Sequence, residues 1–129
     1  MNRILVDLFA GAGGLSCGLE QAGFRPVLAN ELVPAYAATY RHNHPDTELV
    51  IGDIRQVTEE TIRRALEKHS KGVSLLAGGP PCQGFSINAP IRSLDDERNH
   101  LFKEFLRVAQ ALLPDAILIE NVPGIVSLG

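Results

Sequence analysis

An open α/β sheet of parallel strands is the fold that the sequence predicts. Three observations predict it. Five short apolar runs are separated by segments of helical character. The connections are long enough for crossovers, so successive strands run in the same direction. Each run also ends on a glycine turn or a chemistry-bearing side chain, the position at which ligands gather in such sheets.

Residues 4–9 form the first apolar run, which Ala10-Gly11-Ala12-Gly13-Gly14 breaks. Leu15, Leu19 and Ala22 then recur on one helical face, with Gly23 as the stop. A short second strand is expected at 26–30, centred on Val27-Leu28-Ala29. Pro34 suits the first turn of a helix running to Asn43. Residues 49–51 are a brief third strand closed by Gly52-Asp53. Residues 58–69 place Ile62, Ala65 and Leu66 among charges, an exposed amphipathic helix that Thr58 can cap. Thr61 stands where a full capping box needs Glu or Gln. A fourth strand at 74–77 leads into a long polar, Pro/Gly-rich loop over 78–99. Leu101, Phe105, Val108 and Leu112 mark one side of a strong helix over 101–113, ended by Pro114-Asp115. Ala116–Ile119 is the fifth strand, and Glu120 follows directly.

The chain has 129 residues, 45% hydrophobic and 21% charged, which is the composition of one globular domain rather than a disordered segment. No apolar run approaches the roughly 20 residues that span a bilayer. The start, Met1-Asn2-Arg3-Ile4-Leu5-Val6-Asp7, meets an acid too early for a signal-peptide core. Cys17 and Cys82 make neither a disulfide framework nor a Cys-rich zinc site, and a cytoplasmic setting is expected. None of His42, His44, His69 and His100 has metal-ligand spacing, so all four are expected as surface polar residues and no metal site is expected. The net charge of −3 argues against a chain that binds nucleic acid unaided.

Gly11, Gly13 and Gly14 allow close backbone approach to a ligand, and the following helix offers free N–H groups. Glu31 ends the second strand about twenty residues on, where an acid can hold ribose hydroxyls. Asp53, ending the third, can accept a bond from an adenine amine. Ser16 departs from the dinucleotide fingerprint G-x-G-x-x-G, which takes Gly or Ala there. A plain strand–helix turn beside two solvated acids is the competing reading.

Pro80-Pro81-Cys82-Gln83-Gly84-Phe85-Ser86 places a thiol on a stiffened backbone at a strand end. Its polar surroundings favour a nucleophile over a buried structural thiol, whereas Cys17, on the first helix, fits the structural kind. Glu120, after an apolar strand, is expected to be partly desolvated and suited to proton exchange. A salt bridge or a helix cap is the alternative for it.

The set Asp7-Leu8-Phe9-Ala10-Gly11-Ala12-Gly13-Gly14, Glu31, Gly52-Asp53-Ile54, Gly79-Pro80-Pro81-Cys82-Gln83-Gly84-Phe85-Ser86 and Glu120-Asn121-Val122 resembles the cytosine-C5 DNA methyltransferases. Asp95-Asp96-Glu97-Arg98-Asn99-His100-Leu101-Phe102 is similar to that family's mobile-loop-to-helix segment. The resemblance covers essentially the whole chain. It implies the Rossmann-like methyltransferase fold, with residues 1–129 as its S-adenosylmethionine-binding catalytic portion. It places cofactor contacts on Phe9, Ala10, Gly11, Gly13, Gly14, Leu15, Glu31, Leu32, Asp53, Ile54, Pro81 and Leu101. It makes Cys82 the nucleophile that adds to cytosine C6 and Glu120 the acid at the ring. The target base must leave the stack to be reached. Ser86, Arg92 and Arg98 are then candidates to grip phosphates of double-stranded DNA, although Arg92 reads equally well as a solvated loop residue.

The resemblance stops short of the family's second half, including its target-recognition domain and an arginine that contacts the cytosine. The expectation is a truncated product or one piece of a split enzyme, inactive alone, its basic DNA-reading part residing elsewhere or on a second polypeptide. A bacterial cytoplasm or nucleoid and a restriction-modification role fit this reading. Three other functions compete. A non-catalytic cofactor-binding module would keep the fold and lose turnover. A tRNA cytosine methyltransferase would resemble Pro-Pro-Cys-Gln-Pro-Phe-Thr at the nucleophile, against Gly84 and Ser86 here. A nicotinamide dehydrogenase is disfavoured by Ser16 and gives Cys82 no role.

Overall fold

The structure, a computed structural model, describes residues 3–69, 72–80 and 100–120. Five strands form one sheet in the order β3-β2-β1-β4-β5, and every neighbouring pair is parallel. They are β1 (Arg3–Leu8), β2 (Phe24–Glu31), β3 (Glu48–Ile51), β4 (Leu75–Gly78) and β5 (Ala116–Ile119). The helices are α1 (Gly14–Gln21), α2 (Pro34–Asn43), α3 (Glu59–Leu66) and α4 (His100–Leu112), and a 3₁₀ turn covers Ile54–Gln56. The open parallel α/β architecture read from the sequence is the one observed.

Both faces of β1 are covered, as a parallel sheet requires. Ile4, Val6 and Leu8 turn to one side and pack with Ile62 of α3 and Phe105 and Val108 of α4. Leu5 turns to the other side, where Leu75 and Ala77 meet Leu15 and Leu19 of α1. Burying side chains such as Phe105 and Val108 contributes about 1.5–3 kcal/mol each. Arg107 of α4 donates to the carbonyls of Val57 and Ile54 at 3.0 and 3.2 Å, fixing α4 to the 3₁₀ turn.

Two boundaries differ from expectation in an instructive way. β2 begins at Phe24 and runs through Pro26 to Glu31. Pro26 has no N–H to give, and the register against β1 slips there, Leu5 facing Pro26 but Val6 facing Leu28. The bulge lets a proline sit inside a central strand. β1 ends one residue early because Phe9 takes a left-handed conformation, φ 54°. Thr58 caps α3 as expected, its Oγ1 accepting the Thr61 N–H at 3.2 Å.

Candidate functional site

β1 has β2 on one side and β4 on the other, so the chain reverses its direction of winding at β1. A crevice opens at the carboxyl ends of the strands at such a point. There a cavity of about 330 Å³ lies between the strand ends and α4. Phe9 and Gly11 line it from the loop after β1, Asn30 to Val33 from the end of β2 and the residues after it, Gly52 to Ile54 from the segment after β3, Gly79 from just past β4, Tyr36 from α2 and Leu101 from α4. The volume suits a nucleoside-sized molecule. Phe9 holds its positive φ here, and a left-handed non-glycine residue costs about 1–2 kcal/mol.

Of the residues expected to hold a cofactor, Phe9, Gly11, Glu31, Leu32, Asp53, Ile54 and Leu101 line this cavity. Ala10, Gly13, Gly14 and Leu15 adjoin it without lining it. Ala10 packs with Ala29 and Tyr40, and Leu15 packs under α1 against the sheet. Asn30, Val33, Tyr36, Gly52 and Gly79 are lining residues that sequence reasoning missed. Gly52 and Gly79 stood inside motifs already singled out, whereas Tyr36 carried no signal.

The buried Glu31 carboxylate shapes the cavity. Its Oε1 accepts the Gly11 N–H at 2.7 Å and its Oε2 accepts the Val33 N–H at 2.9 Å. A carboxylate has about four acceptor positions, so two remain for a ligand. Asn30 Nδ2 donates to the carbonyls of Val50 and Gly52 at 2.8 and 3.0 Å, tying the ends of β2 and β3 together. Asp53 Oδ1 accepts the Arg55 N–H at 2.8 Å and caps the 3₁₀ turn.

Gly13 caps α1 with φ 96°. A Cβ built there would lie 2.8 Å from Tyr40 Cδ2 and 3.0 Å from His44 Nε2, so only glycine fits between loop and α2. Below it, Ser16 Oγ donates to Asp7 Oδ2 at 2.6 Å and accepts the Tyr40 hydroxyl proton at 2.9 Å. Gly or Ala at position 16 would lack this oxygen. Burial pushes the Asp7 carboxyl up to about 6, against the Ser16 bond and the nearby His44, which act the other way. Asp7 Oδ1 has no hydrogen-bond partner among the described residues. Burial also raises the Tyr40 phenol.

Three expectations need correction. His44 is not at the surface: it is 5% exposed, because its Nδ1 meets Glu20 at 2.7 Å and its ring lies against Tyr40. That contact is close but is not a well-aligned hydrogen bond. Cys17 is exposed rather than structural, since the neighbours Ser16 and Leu15 take the inward side of α1. Glu120 is exposed rather than partly desolvated, because β5 is the edge strand among the described residues and its Ala116, Ile117 and Leu118 are exposed as well.

Glu120 nonetheless returns to the site. Its N–H donates to the Gly78 carbonyl at 3.0 Å, and its Oε2 lies 2.9 Å from where a Cβ on Gly79 would stand. Gly79 lines the cavity, so carboxylate and cavity share one residue. Pro81, Cys82, Ser86, Arg92 and Arg98 lie outside the described residues.

The sequence profile of the C-5 cytosine-specific DNA methylases matches residues 4–128. The chain belongs to this family. Among methylase relatives, the type II methyltransferase M1.HphI of Haemophilus parahaemolyticus is 44% identical over 124 residues, 95% of this chain and 33% of that protein. The type II methyltransferase M.AquIA of Picosynechococcus is 40% identical over 127 residues, 98% of this chain and 51% of that one. This chain therefore spans about a third to a half of the length of these relatives. A prophage-encoded E. coli protein assigned as a DNA modification methyltransferase superposes with a TM-score of 0.77 at 38% identity, covering 95% of this chain and 33% of that one. A variant of Spodoptera frugiperda DNMT2 superposes with a TM-score of 0.69 at 28% identity, covering 97% and 37%. The Rossmann-like methyltransferase fold expected from the motifs is thus the fold of the solved relatives. Among the described residues no group of three His, Cys, Asp or Glu side chains is placed to hold a metal, and no helix is long and apolar enough to cross a membrane.

Proposed function

We propose that residues 1–129 form the cofactor-binding and catalytic portion of a DNA cytosine-C5 methyltransferase that uses S-adenosylmethionine. The observation that carries this reading is the double role of Gly79. It lines the nucleoside-sized cavity and touches Glu120, three residues before Cys82. Cofactor pocket and ring acid then lie at the ends of adjacent strands, and the proposed nucleophile follows Gly79 closely in the sequence.

The cavity fits the cofactor by its donor and acceptor set. Glu31 keeps acceptor capacity for ribose hydroxyls. Asp53 lines the same cavity and takes the adenine amine in this reading, and Phe9, Leu32, Ile54 and Leu101 offer apolar walls. When bound, S-adenosylmethionine supplies the electrophilic methyl group. The chain's own residues prepare the acceptor. The Cys82 thiolate adds to C6 of a cytosine taken out of the duplex, and the electron pair of the C5–C6 double bond becomes available at C5. Glu120 shares its proton with N3 and offsets the charge that addition creates. After methyl uptake a base removes the C5 proton, the double bond re-forms and Cys82 leaves as thiolate. Ser86, Arg92 and Arg98 grip DNA phosphates in this reading.

The test is covalent trapping. The protein in its full length is incubated with cofactor and duplex DNA carrying 5-fluorocytosine, whose fluorine cannot leave as a proton does. A denaturant-resistant protein–DNA complex is expected for the native sequence and for Cys17→Ser, and none for Cys82→Ser. Equal trapping by Cys82→Ser removes Cys82 from the mechanism.

A further inference from the structure

The cavity has two unlike walls. Phe9, Ile54 and Leu101 line it and also belong to, or pack against, the buried cluster beneath α3 and α4. That wall is anchored in the core. Leu32 and Val33, which join β2 to α2, and Tyr36 of α2 line it too, but they stand outside every buried hydrophobic cluster among the described residues. Successive side chains of β2 point to opposite faces of the sheet. Leu28 joins the cluster beneath α3 and α4, whereas Ala29 packs with Tyr40 of α2. α2 and α4 therefore cover opposite faces, and their first turns, carrying Tyr36 and Leu101, meet at the cavity. Exposed apolar residues scattered singly need no explanation, but Leu32, Val33 and Tyr36 are exposed together at one cavity. Tyr36 is the largest of them and is 54% exposed, while Ala37 and Tyr40 take the buried side of α2. The packing of that helix has no use for the Tyr36 ring.

We propose that Tyr36 is a binding residue for S-adenosylmethionine, its ring covering the face of the adenine turned away from Phe9, Ile54 and Leu101. This rests on the reading of the cavity as the cofactor site. α2 packs on β2 and β3, the strands whose ends carry Glu31 and lead into Asp53. Tyr36 thus stands on the half of the cavity where that reading puts the nucleoside, away from Gly79 and Glu120. A purine has two flat faces. The anchored wall takes one, and the exposed wall is completed only when a ring lies against it. Tyrosine offers a large rigid surface with few side-chain torsions to freeze. Stacking on an aromatic ring tolerates any base, so Tyr36 supplies affinity while Glu31 and Asp53 supply the choice of ligand.

Two measurements on the full-length protein, with S-adenosylhomocysteine as the probe, test the proposal. Calorimetry compares the native sequence with Tyr36→Phe and Tyr36→Ala. The dissociation constant is expected to rise about tenfold in Tyr36→Ala and to stay within about twofold of native in Tyr36→Phe, which keeps the ring. Without ligand the three proteins should unfold at the same temperature, because Tyr36 is half-exposed and alanine suits a helix. The second measurement uses protein with isotope-labelled tyrosine rings and looks for nuclear Overhauser contacts to the adenine ring protons. A contact is expected in the native protein and its loss in Tyr36→Phe, which identifies the ring. An unchanged dissociation constant in Tyr36→Ala, or adenine contacts that are absent from the native protein or persist in Tyr36→Phe, overturns the role of Tyr36 and leaves the cofactor reading standing. Failure of the native protein to bind S-adenosylhomocysteine defeats the cofactor reading and this inference with it.

Discussion

Glu31, the last residue of β2, accepts the backbone N–H of Gly11 at 2.7 Å across twenty positions of chain. One carboxylate therefore ties the loop after β1 to the end of β2 and also takes the Val33 N–H. The acid that motif reading assigns to a ligand has a prior structural duty. Loop and ligand share it.

Replacing Glu31 by Ala should harm stability and cofactor binding together. Two N–H groups lose a charged acceptor in a site where Glu31 is 8% exposed. Hydrogen bonds to charged groups contribute about 1.5–3 kcal/mol each. Urea denaturation should show a loss of that order, and calorimetry with S-adenosylhomocysteine a drop of about tenfold or more in affinity. A native-like dissociation constant in a folded variant would separate Glu31 from the ligand.

Asp7 predicts an unusual slope of stability with pH. Its carboxyl sits at about 6 in the folded protein against 3.8 for an ordinary Asp. Between those values the folded chain holds a proton that the unfolded chain has released. The stabilisation is therefore complete below about pH 4 and is lost as pH rises through about 6, a change of about 3 kcal/mol. Asp7→Asn should flatten this window and be no less stable than the native chain at neutral pH. Denaturation midpoints collected across the window check it, and a native-like slope in the variant would assign the dependence to another group.

Gly13 and Gly11 both have positive φ, 96° and 58°, but only Gly13 has neighbours where a Cβ would go. Gly11→Ala should cost about 1 kcal/mol for the conformation alone. Gly13→Ala adds a clash with Tyr40 and His44, and overpacking of this kind costs about 1–3 kcal/mol more. Thermal denaturation of the pair should rank Gly13→Ala clearly lower, and equal costs would mean that α2 yields freely.

β1 and β4 were legible because a strand buried on both faces reads as an apolar run, the more exposed β3 and β5 were legible from their apolar residues alone, and the run ends pointed to Glu31, Asp53 and Glu120. The start of β2 was not, since Pro26 ordinarily excludes a central strand and only the bulge beside it admits one. The burial of His44 was equally hidden. It depends on Glu20 of α1 meeting α2, a contact that no spacing within either helix announces. Asp7 sat between Val6 and Leu8 in an apolar run without a visible partner, yet Ser16 and Tyr40 complete it in three dimensions. Cys17 was misplaced because the inward face of α1 includes Ser16, so apolar periodicity alone set the wrong boundary.

The outer edge of the sheet supplies the last prediction. β5 pairs with β4 alone among the described residues, and its Ile117 and Leu118 are 47% and 41% exposed. Leu113, just before it, is 80% exposed. An unpaired strand edge with apolar side chains on both faces is a template for another chain. The 129-residue polypeptide, prepared as such, is expected to self-associate through this edge. Lysine at an edge strand opposes such pairing, because each added copy would bury an unpaired charge. Ile117→Lys combined with Leu118→Lys should shift the polypeptide towards monomer in sedimentation velocity, while a lysine at exposed Leu106 of α4 should not. Association that persists in the double variant would locate the contact elsewhere, and a monomeric native polypeptide would show that this edge is already covered.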